Sequence, residues 1–175
     1  MTSDNTRFES PTVNDEGREV LSWEEFGFAA RELATNIVQD GYEFDVVVAI
    51  ARGGLIPAGA ISYALGTKNC GSINVEFYSD IEETLAAPVV LPPFLDTGSL
   101  AGKRVLLVDD VADSGRTLDL VVKLLRSHCE EVRSVTIYSK PGTIIQPNYV
   151  WRKTDRWIDF PWSDKGTVVH NKPAA

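Results

Sequence analysis

VLLVDDVADSGRTL, Val105 to Leu118, decides the fold. Four apolar residues, Val105 to Val108, run into two adjacent carboxylates, Asp109 and Asp110. A turn of small residues follows, and Thr117 opens a stretch with Leu118, Val121, Val122 and Leu125 at helical spacing. A short apolar run rich in β-branched residues is a strand buried on both faces, and the spacing after it predicts a helix. Strand, tight turn and helix N-terminus in that order build an acidic edge beside an anion cradle.

The turn itself is DSGRT, Asp113 to Thr117. Gly115 lets backbone come close to a ligand. The first amides of a helix have no partner inside it and carry the positive end of its dipole. Ser114 and Thr117 add hydroxyl donors, so a phosphate monoester fits. An ordinary helix cap at Asp113 or Ser114 would use the same residue types. Asp109 and Asp110 repel each other and need solvation or partners. They read either as a solvated strand end, as acceptors for two neighbouring sugar hydroxyls, or as help in holding Mg²⁺. With a phosphate cradle a few residues on, the sugar reading gives a ribose 5-phosphate. Acids beside the sugar also stabilise positive charge at its anomeric carbon.

Outward from this stretch the same alternation recurs. Ser22 and Glu25 make a capping box for a helix with Phe26, Ala30, Leu33 and Ile37 on one face, stopped at Gly41. DVVVAIA, Asp45 to Ala51, is a second buried strand; ARGGL and a helix from about Ile56 to Leu65 follow it. Ile73, Val75 and Phe77 alternate with polar residues in a half-buried strand. Val132 to Tyr138 is a further strand, followed by a turn at Pro141-Gly142, an apolar piece at Tyr149 to Trp151 and the cluster WIDFPW, Trp157 to Trp162. Strands alternating with helices predict a single α/β domain with a mostly parallel, twisted sheet flanked by helices. In such sheets ligands bind beyond the carboxyl ends of the strands. The loops at Arg52 and Asp109 to Thr117 fall there, as does Lys140. Residues 1–19 read as a disordered or loosely docked lead-in, 20–163 as the domain and 164–175 as a polar tail. Tyr78 to Gly102, with Pro88, Pro92, Pro93 and Gly98, has no clear pattern and reads as a lid or binding loop, or else as disorder.

The chain has 175 residues and a formal charge of -8, which disfavours nucleic-acid and anionic-membrane surfaces because both need clustered Lys and Arg. Cys70 and Cys129 have no metal-ligand spacing and make no disulfide framework. No apolar run is long enough for a membrane span, and no signal-peptide pattern opens the chain, so the cytoplasm is the expected location.

VLLVDDVADSGRTL resembles the signature of the type I phosphoribosyltransferases, which bind phosphoribosyl pyrophosphate. The match covers the apolar strand, the acid pair, the third acid, the Ser-Gly turn and the closing Thr. The resemblance implies that Asp109 and Asp110 bind the ribose hydroxyls and that Asp113, Ser114, Gly115, Arg116 and Thr117 wrap the 5-phosphate. ARGGL resembles the family's pyrophosphate loop, which gives Arg52 and Gly53 to the pyrophosphate; a plain strand-to-helix turn with a solvent-facing Arg is the alternative. The layout is similar to the 6-oxopurine members, and within them to the bacterial xanthine-guanine type. SKPG, Ser139 to Gly142, sits where that type places a Lys that reads the purine 6-oxo group. Lys is a donor only, so it favours a carbonyl over an amino group. WIDFPW resembles its aromatic motif, with Trp157 stacking on the purine and Ile158 and Asp159 meeting the 2-position. The Asp-Asp form of the acid pair also agrees with that type. A surface lysine and plain aromatic packing are the other readings of Lys140 and of Trp157, Phe160 and Trp162.

The implied reaction is attack of a 6-oxopurine (guanine, xanthine or hypoxanthine) on C1 of phosphoribosyl pyrophosphate. It yields a nucleoside 5-monophosphate and pyrophosphate, with Mg²⁺ as cofactor and Asp113 as general base or acid at purine N7. The family also implies a homo-oligomer and a mobile hood after Phe77-Tyr78-Ser79-Asp80. The hypoxanthine-guanine type has Ser-Tyr there, so hood contacts do not carry over. Three other readings compete. A non-catalytic regulator of the same fold would need a basic surface or an added nucleic-acid-binding domain. A phospho-receiver domain places its acids early, whereas only about 65 residues follow Asp110, short of the ~100 of a typical domain. An adenine or pyrimidine transferase is the third, although an adenine enzyme would have little use for Lys140.

Overall fold

The computed structural model describes residues 10–77, 88–90 and 96–168. In chain order the elements are β1 (Glu19–Val20), α1 (Trp23–Gln39), β2 (Val46–Ala51), α2 (Leu55–Leu65), β3 (Cys70–Phe77), β4 (Pro88–Val90), β5 (Arg104–Ala112), α3 (Arg116–Arg126), β6 (Glu131–Ser139), β7 (Tyr149–Lys153) and β8 (Ile158–Asp159). They fall into two units, Gly27–Asp155 and the described part of Met1–Phe26 with Arg156–Ala175.

The larger unit holds a six-stranded sheet in the order β4-β3-β2-β5-β6-β7. Only the β3–β4 pair is antiparallel. This is the expected mostly parallel α/β sheet. Its centre is dry: Val47, Val48, Val105, Leu106, Leu107 and Val108 are all 0% exposed. Successive side chains of a strand point to opposite faces, so a run buried at every position needs cover on both. On one face Val46, Val48, Ile50, Val105 and Leu107 cluster with Leu118, Val121, Val122 and Leu125 of α3. Each such side chain contributes about 1.5–3 kcal/mol when fully buried, so the apolar stripe rather than intrinsic propensity holds α3 down.

Local signals set the helix ends. Ser22 Oγ accepts from the amide of Glu25 at 3.1 Å, the expected cap of α1. Asp40, just past α1, is tied to the sheet: its carboxylate accepts from the Arg133 guanidinium of β6 and from the Tyr149 hydroxyl of β7. The same guanidinium lies 4.3 Å over the Tyr42 ring, and the Tyr42 hydroxyl donates to the Val105 carbonyl at 3.0 Å.

Two elements differ from expectation. β5 runs on through Ala112, in register with β6 from Arg104↔Glu131 to Ala112↔Ser139. The acid pair therefore lies inside the strand rather than at its end. The ladder to β6 supplies the main-chain hydrogen bonds that let two carboxylates sit in a strand position. The described residues of the stretch Tyr78 to Gly102 include β4 and a 3-10 turn at Thr97–Leu100, capped by the Asp96 carboxylate. The lid expected there lies mostly in residues 78–87 and 91–95, outside the described residues.

The smaller unit contains a feature with no sequence signal, a two-stranded parallel sheet of β1 and β8. Residues 10–19 form a turn built on Asn14, whose side-chain oxygen accepts from the amides of Glu16 and Arg18, and Val13 bridges Glu19. Phe160 stacks on Trp162 at 4.9 Å, and Phe26 meets Trp162 edge-on at 5.2 Å.

Gly54 fixes the join of β2 to α2. Its amide donates to the Ile50 carbonyl at 2.8 Å, and a Cβ there would overlap the backbone carbonyls of Val108 and Ile50. Backbone cannot swing aside, so Gly54→Ala is expected to destabilise the protein by about 1–3 kcal/mol, the usual cost of forcing a methyl group into a packed site. Urea unfolding of the two proteins checks this.

Candidate active site

Three adjacent strands, β2, β5 and β6, end in the three loops singled out by their sequence. ARGGL leaves β2, DSGRT leaves β5, and the Lys140 loop leaves β6. The register Ala49↔Val108, Asp109↔Thr136 and Ala112↔Ser139 brings the loops to one edge of the sheet.

The first two meet at Gly53. A Cβ on Gly53 would overlap the carboxylate of Asp110, so the glycine is what lets this loop lie against the acid pair. The Ala51–Arg52 peptide bond is cis, and Arg52 is exposed at the loop's tip. The second and third loops are joined by hydrogen bonds. Lys140 donates its amide to the Ala112 carbonyl at 2.9 Å, and Ile144 donates to the Ser114 carbonyl at 3.0 Å. Behind the turn, Gly115 has φ +77 and packs so closely on Thr143 that a Cβ would strike the Thr143 hydroxyl. A left-handed backbone and a wall behind it both demand glycine.

The capping alternative for DSGRT does not describe α3. The N-cap is Gly115, which has no side chain to offer. Asp113 is exposed and makes no hydrogen bond with the described residues; Ser114 Oγ reaches the Arg116 amide only at 3.4 Å. The N-terminus of α3 thus has no side-chain cap, and Asp113, Ser114 and Arg116 around it are exposed. Thr117 is half-buried beside them.

The acid pair is electrostatically unsettled. Asp109 is 9% exposed, and burial first, then the Asp110 charge, raises its pKa well above the ordinary 3.8. Burial raises Asp110 as well, against the pull of the Val111 amide, which donates to its Oδ1 at 2.7 Å. Asp109 Oδ1 accepts the Asp110 amide at 2.9 Å. The buried Asp109 and half-buried Asp110 carboxylates each accept a main-chain amide and have lone pairs to spare. Hydroxyl donors or a cation would satisfy them. Among the described residues no group of three or more His, Cys, Asp or Glu could hold a metal ion.

Lys140 is half-buried at the mouth of β6. Trp157, Ile158 and Asp159 belong to the smaller unit. Trp157 is 66% exposed and stays out of the Phe160–Trp162 stack, whereas Ile158 is buried. The Asp159 carbonyl accepts from the Leu21 amide, and its carboxylate takes Asn14 and Arg18. Plain packing therefore describes Phe160 and Trp162 but not Trp157. Sequence reasoning passed over Thr143 and Ile144, which brace the DSGRT turn, and Thr136, which pairs with Asp109. None has a periodic or compositional signal; only strand register reveals them.

Because ionised Asp109 is disfavoured in the fold, replacing it by a neutral isostere removes a penalty. Asn keeps the acceptor for the Asp110 amide. Asp109→Asn is expected to raise Tm at pH 7 by ~2–4 °C, what about 1 kcal/mol does in a chain of this size. Asp109 binds its proton more tightly folded than unfolded, so lowering pH stabilises the wild type relative to the variant. The gain is full above the raised pKa and fades as pH falls toward 3.8. Thermal melts at several pH values read this out.

A family model described as phosphoribosyl transferase domain matches residues 16–166. The chain is 35% identical over 144 residues to the xanthine-guanine phosphoribosyltransferase of Gluconobacter oxydans, covering 81% of this chain and 82% of that protein. To the enzyme of the same name from Cereibacter sphaeroides it is 34% identical over 148 residues, covering 81% and 84%. Among solved structures, the purine phosphoribosyltransferase of Pyrococcus horikoshii is 34% identical with TM-score 0.73, and the match covers 86% of this chain and 97% of that one. With the acid pair and the open helix N-terminus on one strand, these matches place the chain in the phosphoribosyl transferase domain family.

Proposed function

We propose that this protein is a purine phosphoribosyltransferase. It transfers the 5-phosphoribosyl group from phosphoribosyl pyrophosphate to a 6-oxopurine base (guanine, xanthine or hypoxanthine), as in purine salvage. The observation that carries this reading is the contact at Gly53, where the ARGGL loop lies on the Asp110 carboxylate while the same strand ends in the uncapped N-terminus of α3. One activated pentose has groups for all three places: hydroxyls for the acids, a 5-phosphate for the helix amides and a pyrophosphate at C1 for the loop.

In this reading Asp109 and Asp110 accept hydrogen bonds from the ribose 2- and 3-hydroxyls. That use answers their burial, since each hydroxyl brings a donor to an under-partnered carboxylate. The amides of Asp113 to Thr117, with the Ser114 and Thr117 hydroxyls, bind the 5-phosphate. Arg52 offers planar donors to the pyrophosphate, and Gly53 keeps the loop close. As the C1–O bond to pyrophosphate breaks, the C1–N9 bond to the purine forms, and positive charge builds on the ribose. The nearby acid pair stabilises that charge. The base gives up one proton, and Asp113, exposed at the start of the turn, is placed by sequence to hold it at N7. Lys140 donates to the 6-oxo group, Trp157 stacks on the ring, and Ile158 and Asp159 meet its 2-position.

The donor set fits Mg²⁺ carried in by the substrate. Mg²⁺ keeps waters and binds through one or two carboxylates plus substrate phosphates, which suits a site with two adjacent acids. Asp109 and Asp110 would hold it, and its chemistry is neutralisation of the leaving pyrophosphate. No helix among the described residues is long and apolar enough to cross a membrane. A cytoplasmic homo-oligomer with no nucleic-acid partner completes the proposal.

The test is nucleotide formation from labelled phosphoribosyl pyrophosphate with a panel of bases. Guanine, xanthine or hypoxanthine should each yield its 5-monophosphate and adenine little; equal rates with adenine and guanine would contradict the role of Lys140. Asp113→Asn should lower kcat by ~10²-fold or more, the lower end of general acid–base contributions, and leave KM for the sugar donor within about twofold. Unchanged turnover would remove Asp113 from proton transfer.

A further inference from the structure

Thr136 lies on β6 directly beside Asp109 on β5. Paired residues of neighbouring strands project to the same face, so the two side chains share one row of the sheet. The next residue in that row is Val150 of β7, which is apolar. Thr136 is 0% exposed, and its Oγ1 has no hydrogen-bond partner among the described residues.

Such a hydroxyl is expensive. Leaving it unsatisfied in a dry sheet costs the desolvation of the group with nothing gained. Valine has the same shape and would fill the space without that cost, so packing alone gives no reason for threonine here. Its immediate neighbours on β6, Val135 and Ile137, are aliphatic, and Ser134, two positions back, has its hydroxyl engaged by Asn148. The acceptor next to Thr136 in the row is the carboxylate of Asp109. That carboxylate is itself short of donors, with the Asp110 amide as its main-chain partner. An orphan donor and an under-partnered acceptor thus stand side by side on adjacent strands.

We propose that Thr136 is a positioning residue for Asp109: its buried hydroxyl donates to the Asp109 carboxylate when the sugar donor occupies the site, and so aims the free carboxylate oxygen at a ribose hydroxyl. This rests on the ribose-binding role given to Asp109 above. Thr136 touches no substrate. It acts on the strength of donor binding and takes no part in the chemical step, which divides its effect between kinetic constants in a definite way.

The experiment measures steady-state constants for wild type, Thr136→Val, Thr136→Ala and Thr136→Ser, together with thermal melts. Thr136→Val should be at least as stable as wild type and should raise KM for phosphoribosyl pyrophosphate by about tenfold, the low end for a hydrogen bond to a charged group. Its kcat and its KM for the purine should stay within about threefold. Thr136→Ser restores the hydroxyl and should return KM to within about twofold of wild type. Should the valine protein fail to fold, Thr136→Ala gives the same comparison. An unchanged donor KM in the hydroxyl-free variants would overturn the proposal, and so would a serine variant as impaired as valine, since that marks a packing role. Absence of any transfer by the wild-type enzyme would instead sink the underlying functional reading.

Discussion

Two adjacent carboxylates on one strand, Asp109 buried and Asp110 half-buried, hold the candidate site together. Asp109 and Asp110 sit inside β5, where the sheet's dry centre gives way to the edge carrying the three loops. Burial and mutual repulsion make their charged forms costly, and the backbone supplies too few amides to offset that. The fold tolerates the cost because the surrounding sheet, with Val105 to Val108 wholly buried, is stable enough to carry it. Sites that bind polar ligands are commonly built this way, under strain until occupied.

The rest of the edge is arranged around that strand. Gly53 has no side chain because Asp110 occupies the place where one would go, and Gly54 has none because the main chain of β5 and β2 does. On the other side, the loop after β6 is hydrogen-bonded to the DSGRT turn through Ile144 and to the end of β5 through Lys140. The DSGRT turn is therefore braced on the side that faces Thr143 and Ile144. A shift of the Lys140 loop moves the Ser114 carbonyl with it. Two main-chain hydrogen bonds thus join the loop proposed to read the base to the strand and turn proposed to hold the phosphate.

Much of this was legible in the chain. The periodicity of Leu118, Val121, Val122 and Leu125, the β-branched run at Val46 and the cap at Ser22 each report a local preference that the tertiary structure keeps. The order of ARGGL, VLLVDDVADSGRTL and SKPG was enough to foresee three loops at one sheet edge, since parallel strands joined by right-handed crossovers put them there. What the sequence hid depends on pairing between distant residues. Nothing local tells that β5 continues past Val108, because two aspartates read as a strand's end and the ladder to β6 is what overrides them. The β1–β8 sheet joins residues about 140 positions apart through two-residue strands, too short for any periodic signal. Thr136 shows why register matters: in VTIYSK it is an unremarkable β-branched residue, and only its pairing partner gives it a meaning.

The account stands or falls on whether the two aspartates receive the sugar of an activated ribose. The direct measurement is calorimetric titration of phosphoribosyl pyrophosphate, with Mg²⁺ present, into the wild-type protein and into an Asp109→Asn, Asp110→Asn double variant whose fold is verified by its melt. Saturable uptake by the wild type and none by the variant is the predicted result. A wild-type protein that takes up nothing, or a variant that binds as well as its parent, would contradict it.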